Sequence, residues 1–313
     1  MTKLNQCIIT TPWEYGAGKQ GTSLGPTNLL EACKNTNNHP LNSCNVFSVP
    51  QEIEEKEKIP LPNYLKRGHA FLKHQTNLSN LVHLRLAENC FPIILSGDHS
   101  NAVGGLAGFS QHFNANESGV VWVDAHLDLH SPYTTPSGNI HGMSLNVAIN
   151  YDNDENQIND LDAETIELWE QIKSLKNNQE NQTYNPKNIV LIGIRSYEEQ
   201  EIELTKKLGI HVITAEEVHL LGIQAAVSQA KTILNKVNQV YVSFDVDSLD
   251  PIISVGTGTP VENGLSIEQA QYLLSEFYCW EKTKTIEFTE INPTLENENQ
   301  MANAICKLIQ DSF

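Results

Sequence analysis

Short apolar runs and helix-period patterns alternate along this chain from one end to the other, and that alternation restricts the fold more than any other property. The β-branched and aromatic runs at 7–10, 45–49, 92–96, 119–124, 188–194, 211–214, 239–245 and 285–290 read as strands. Patterns near 26–34, 65–88, 100–112, 163–175, 198–208, 223–235, 267–277 and 298–309 read as helices between them. Strand-then-helix order predicts an α/β three-layer sandwich, with a mostly parallel sheet of about eight strands flanked by helices. Gly25-Pro26 and the capping box beginning at Thr214 mark two helix starts. The polar stretch at 150–188 reads as a surface excursion holding one helix, so residues 1–313 are expected to form a single domain.

Two acidic clusters close strand runs. Asp124-Ala125-His126-Leu127-Asp128 follows Gly119–Val123, and Asp245-Val246-Asp247 ends a second run about 120 residues later. Carboxylates are costly at the end of a buried strand unless something cationic meets them. In open α/β sheets ligands bind outside the carboxyl ends of the strands, where these residues fall. In extended backbone Asp124, His126 and Asp128, at i, i+2 and i+4, would share one side of the chain. His99, in Ser96-Gly97-Asp98-His99-Ser100 after another strand, is a third contributor, and Asp98 reads as a supporting carboxylate.

Four aspartates and two imidazoles can hold two divalent cations if carboxylates bridge. Hard oxygen donors with two nitrogens and no sulfur favour Mn²⁺ on softness, although the general affinity order for divalent metals does not. Two such ions would activate a shared water. The six cysteines have no paired spacing, which argues against a zinc-thiolate site and reads as reduced, mostly buried thiols.

A net charge of −18 argues against nucleic acid and anionic membranes as partners. No apolar run approaches the roughly 20 residues of a spanning helix, and the first residues look like a strand rather than a secretory signal. Cytoplasmic residence is the expectation, under which the sequon at Asn181 has no meaning.

At Ser96–Ser100, Val123–Asp128 and Ser243–Pro251 the chain resembles the ureohydrolase family, which contains arginase, agmatinase, guanidinobutyrase and formimidoylglutamase. Motif order and intervals match over nearly the whole chain. The resemblance implies an arginase-like fold and two Mn²⁺ per subunit. One ion would be held by His99, Asp124, Asp128 and Asp245, the other by Asp124, His126, Asp245 and Asp247, with Asp124 and Asp245 bridging. It also implies a homo-oligomer, a trimer or hexamer, acting on a small guanidino substrate.

Three further stretches are most similar to arginase. Ser137-Gly138-Asn139-Ile140-His141-Gly142 resembles the loop that binds the amino-acid end of the substrate and carries a proton-shuttling histidine, here His141. Glu290 in Glu290-Ile291-Asn292-Pro293 matches the glutamate that holds the guanidinium, and Thr259 lies in the threonine loop beside the substrate. The segment 194–201 aligns with the acids that recognise an α-amino group, placing Glu198 and Glu201 there.

Two departures stand out: His130 replaces an asparagine that helps bind the α-carboxylate, and Glu198 replaces an aspartate. The implied reaction is hydrolysis of L-arginine to L-ornithine and urea by metal-activated hydroxide. Asp128 would orient the hydroxide, Glu290 would hold the guanidinium and His141 would supply a proton to the leaving amine. The alternatives are agmatinase, guanidinobutyrase or formimidoylglutamase activity at the same metal site, and an inactive metal-binding homologue. A single-zinc deacetylase would need neither His99 nor so many aspartates.

Overall fold

The computed structural model describes residues 5–176 and 183–313. Eight strands form one sheet: β1 (Gln6–Thr11), β2 (Asn45–Ser48), β3 (Phe91–Ser96), β4 (Ser118–Val123), β5 (Ile189–Ile194), β6 (His211–Thr214), β7 (Gln239–Asp245) and β8 (Thr283–Thr289). Their order is β2-β1-β3-β8-β7-β4-β5-β6, and every pair is parallel, so the sheet is wholly rather than mostly parallel. Strands β3, β4, β5 and β7 are buried at every position, as expected of strands covered on both faces.

Among the described residues ten α-helices cover the sheet: α1 (Gly25–Lys34), α2 (Gly68–Ala87), α3 (Ala102–His112), α4 (Ser144–Ile149), α5 (Ala163–Lys173), α6 (Glu199–Leu208), α7 (Ala215–Leu221), α8 (Ile223–Ile233), α9 (Ile267–Tyr278) and α10 (Gln300–Ser312). The two-residue alternation of the strands divides the core. Val121, Val123, Val242 and Phe244 pack with α1, α8, α9 and α10, while Val120, Trp122 and Tyr241 pack on the other face with α2, α3 and Leu204 of α6. Each such apolar side chain contributes about 1.5–3 kcal/mol on full burial.

Two helices have no counterpart in the expected pattern. All six residues of α4 are buried, so it lacks the polar stripe by which a helix is recognised. The seven-residue α7 was signalled only by its capping box, in which Thr214 Oγ1 accepts from Glu217 N at 3.1 Å. Among its described residues the excursion holds one α-helix, α5, whose Leu168, Trp169 and Ile172 are buried. Residues 177–182, with most of the sequon, lie outside the described residues. Of the six cysteines, Cys7, Cys33 and Cys306 are buried and Cys279 is exposed. No described helix is long and apolar enough to cross a membrane.

Candidate active site

Strands β3, β8, β7 and β4 are consecutive in the middle of the sheet, and the acidic and histidine motifs sit just past or at their carboxyl ends. Parallel pairing thus brings His99, Glu290, Asp245 and Asp124 to one edge although they span nearly two hundred positions of sequence. Asp245 is the last residue of β7, and its Oδ1 accepts from Asp247 N at 2.7 Å in the turn that follows.

The expected extended backbone through Asp128 is not what forms. The chain bends directly after Val123, where Asp124 Oδ1 accepts from His126 N at 2.8 Å, and Asp128 has φ 52°. Convergence comes from this bend and from a left-handed residue, not from strand alternation. Glu290 is also left-handed, with φ 67°. Such a conformation costs a non-glycine residue about 1–3 kcal/mol and tends to concentrate at functional sites.

His99 Nδ1 lies 3.0 Å from Asp124 Oδ2, 3.2 Å from Asp128 Oδ2 and 3.0 Å from Asp245 Oδ2. His126 Nδ1 lies 3.4 Å from Asp124 Oδ1 and 3.1 Å from Asp247 Oδ2. Two donor triads result, His99–Asp124–Asp245 and Asp124–His126–Asp247, the donor atoms of each within 4.8 Å of one another and Asp124 common to both. Burial and mutual repulsion push Asp245 and Asp247 above the usual carboxylate range. Against its burial, the surrounding carboxylates hold His99 well above the ordinary histidine value.

These residues fit a pair of divalent cations on a specific observation. His99 Nδ1 is fully buried and within 3.2 Å of three carboxylates, yet it makes no directed hydrogen bond to any of them. Such an arrangement aims donors at a common point between them. Asp98 takes no part: its Oδ2 accepts from Gly16 N at 2.7 Å and Ala17 N at 2.9 Å, anchoring a neighbouring loop.

A cavity of about 230 Å³ opens beside the triads, lined also by His130, Ser137, Asn139, His141, Glu198, Glu201 and Thr259. His130 Nε2 meets Glu198 Oε2 at 3.0 Å and lies 3.5 Å from Glu201 Oε2. This hydrogen bond holds Glu198 low, at about 2, whereas burial lifts Glu201 to about 7. Glu201 accepts from Leu129 N at 3.0 Å and Glu198 N at 3.1 Å, so it closes the capping box of α6 as well as lining the cavity. Thr259 Oγ1 donates to Asp247 Oδ2 at 3.0 Å.

Glu290 is 2% exposed and contacts two residues that line the cavity, His99 and His141. Its Oε1 accepts from His99 N at 2.8 Å and lies 3.3 Å from His141 Nδ1. Burial disfavours a charged His141, but the hydrogen bond and charge of Glu290 outweigh it and raise the ring to about 9.

Sequence reasoning missed several contributors. Thr135 Oγ1 accepts from Gly138 N at 2.9 Å and shapes the loop that carries Asn139. Lys66 Nζ reaches Asn139 Oδ1 at 3.5 Å. Trp122 stacks on His99, and the Arg195 guanidinium donates to the carbonyls of Asp247 and Val261 at 2.7 Å each, holding two site loops together. Trp122 belongs to an apolar strand run, and Arg195 lies in the 194–201 segment where only the acids stand out, so neither carried a signal of its own.

A parallel α/β sheet with paired aspartate–histidine triads above its central strands is a fold and site class that can hold two metal ions. The Arginase family profile matches residues 5–313. The arginase of Bacillus subtilis (strain 168) is 30% identical over 308 residues, covering 97% of this chain and 95% of that protein. The native structure of arginase from Bacillus caldovelox has a TM-score of 0.85 at 28% identity, covering 99% of this chain and 98% of that one. The crystal structure of Entamoeba histolytica arginase in complex with L-ornithine has a TM-score of 0.83 at 26% identity, covering 100% of both chains. This chain belongs to the arginase family and is a metal-dependent ureohydrolase, most like arginase.

Proposed function

We propose that the protein hydrolyses L-arginine to L-ornithine and urea, with His99, Asp124, His126, Asp128, Asp245 and Asp247 holding two Mn²⁺. One observation carries this reading: a single cavity is lined both by the six candidate ligands and by hydroxyl, amide and acid groups suited to an amino-acid head. The Entamoeba histolytica arginase solved with L-ornithine supports the substrate class. The chain would act as one domain over 1–313, in the cytoplasm, as a trimer or hexamer.

Bound at the two triads, a cation pair supplies Lewis acidity and lowers the pKa of water towards about 7. The chain's own groups do the rest. Glu290, with Oε1 engaged by His99 N and close to His141, offers its other oxygen to the guanidinium, a charge-assisted contact. Asp128 accepts a hydrogen bond from the attacking water. A bond forms from that water's oxygen to the guanidino carbon and the bond from that carbon to the side-chain nitrogen breaks, while the two protons the water loses go to the leaving nitrogen, one by way of Asp128 and one in exchange for the proton that His141 delivers. His141, protonated at neutral pH, delivers a proton to the departing amine. Glu198 faces the α-amino group, and Ser137 and Asn139 face the carboxylate.

A second reading draws on the His130–Glu198 contact at 3.0 Å. An acid already paired within the protein holds an α-amino cation less strongly, which favours agmatine or guanidinobutyrate at the same metal site. Urea and ammonia release from L-arginine, agmatine, guanidinobutyrate and formiminoglutamate, with Mn²⁺, Ni²⁺, Co²⁺ and Zn²⁺ in turn, decides between them. Turnover of L-arginine at least as fast as the others is expected. Preference for agmatine selects the second reading, and inactivity on all four rejects both.

A further inference from the structure

Beneath the ligand cluster a buried polar column runs through the sheet. Glu287 of β8 is 0% exposed and pairs in register with Ser243 of β7. Its Oε1 accepts from Ser96 Oγ at 2.6 Å, and its Oε2 accepts from Tyr241 OH at 2.8 Å and from Ser243 Oγ at 3.0 Å. Ser243 Oγ lies 2.9 Å from His99 Nε2. A carboxylate buried in a sheet loses hydration, and here its partners are three hydroxyls on the two neighbouring strands, β3 and β7. Ordinary strand packing does not call for such a residue.

The hydrogen-bond inventory gives the column a direction. A serine hydroxyl has one proton, and once it is given to Glu287 only lone pairs remain for the histidine. When His99 is neutral, Nε2 therefore carries the ring hydrogen and Nδ1 keeps the lone pair. Nδ1 is the atom within 3.2 Å of Asp124, Asp128 and Asp245. A metal-binding histidine held through its other nitrogen is fixed both in tautomer and in orientation.

We propose that Glu287 is a positioning residue for metal binding, acting through Ser243 to present His99 Nδ1 to a divalent cation. The inference rests on the two-metal reading above and adds two residues to it. Glu287 touches neither substrate nor ligand cluster and works only through the serine hydroxyl.

Calorimetric titration with MnCl₂, with bound metal counted by elemental analysis, tests this on the wild-type chain and on Glu287→Gln, Ser243→Ala, their double variant and Tyr184→Phe. Tyr184→Phe deletes another buried hydroxyl, bonded to Leu106 O at 2.8 Å, and controls for general loss of packing. Glu287→Gln and Ser243→Ala should each weaken one of two ions by roughly 10–100-fold. The double variant should lose no more than Ser243→Ala alone, because both act on one chain of bonds. Tyr184→Phe should keep wild-type affinity.

Wild-type affinity in either single variant, full additivity in the double, or an equal loss in Tyr184→Phe overturns the proposal. If Glu287→Gln does not fold, Ser243→Ala decides: undiminished affinity overturns it. A wild-type chain that binds no Mn²⁺ overturns instead the two-metal reading, and the proposal falls with it.

Discussion

Trp122 lies flat against His99, with ring centroids 4.0 Å apart and planes at 8°, while its indole N–H donates to Asp124 Oδ2 at 3.0 Å. One buried side chain of β4 therefore orients two candidate ligands, one through its face and one through its edge. Trp122→Phe keeps an aromatic face and removes the hydrogen bond. Metal affinity should fall roughly 10-fold, the lower end of such outer contacts, measured by titration with MnCl₂. Trp122→Ala should also cost about 3–5 kcal/mol of stability, read by denaturant unfolding.

His141 owes its raised ring to Glu290 and serves as the proton carrier of the proposed reaction. His141→Asn should lower turnover of the preferred guanidino substrate by roughly 10²–10⁴-fold while bound metal stays at the wild-type ratio. Steady-state kinetics paired with elemental analysis checks this. Unchanged turnover would remove the role.

Asp124 is the donor shared by both triads. Asp124→Asn weakens both sets at once, so metal content should drop for both ions rather than for one. Retention of both ions after gel filtration would count against a bridging role.

Glu198 is about half exposed and tied to His130. Glu198→Ala should raise KM for L-arginine more than for agmatine, which has no carboxylate and no separate α-amino acid head. Equal effects on the two substrates would show that Glu198 does not read the α-amino group.

His74 is 3% exposed, with Nε2 2.8 Å from Thr11 Oγ1 and its ring 5.0 Å from that of Trp13. Burial lowers it from 6.5 to about 4. As pH falls, the unfolded chain takes up this proton near 6.5 and the folded chain only near 4. Its contribution to stability is complete above 6.5 and is lost between 6.5 and 4, by about 1.4 kcal/mol per unit. His74→Gln should flatten that part of the wild-type stability curve, as measured by urea unfolding across the window.

The sequence by itself determined the alternation of strand and helix and the chemistry of the ligand set, because periodicity and donor type are local properties. Apolar runs such as Val120–Val123 can satisfy their backbone and side chains in few ways, and four aspartates with two histidines at run ends point to a cation from the sequence alone. Helix α4 escaped because all its residues are buried and leave no polar stripe to read. Only the tertiary structure decided that β3, β8, β7 and β4 stand side by side, which follows from pairing between segments distant in sequence. It alone bent the chain at Asp124, set Asp128 and Glu290 in left-handed conformations, tied Glu198 to His130 and placed Glu287 two hydrogen bonds below His99. Each of these depends on a partner contributed from another strand or loop, and a single sequence carries no direct record of such partners.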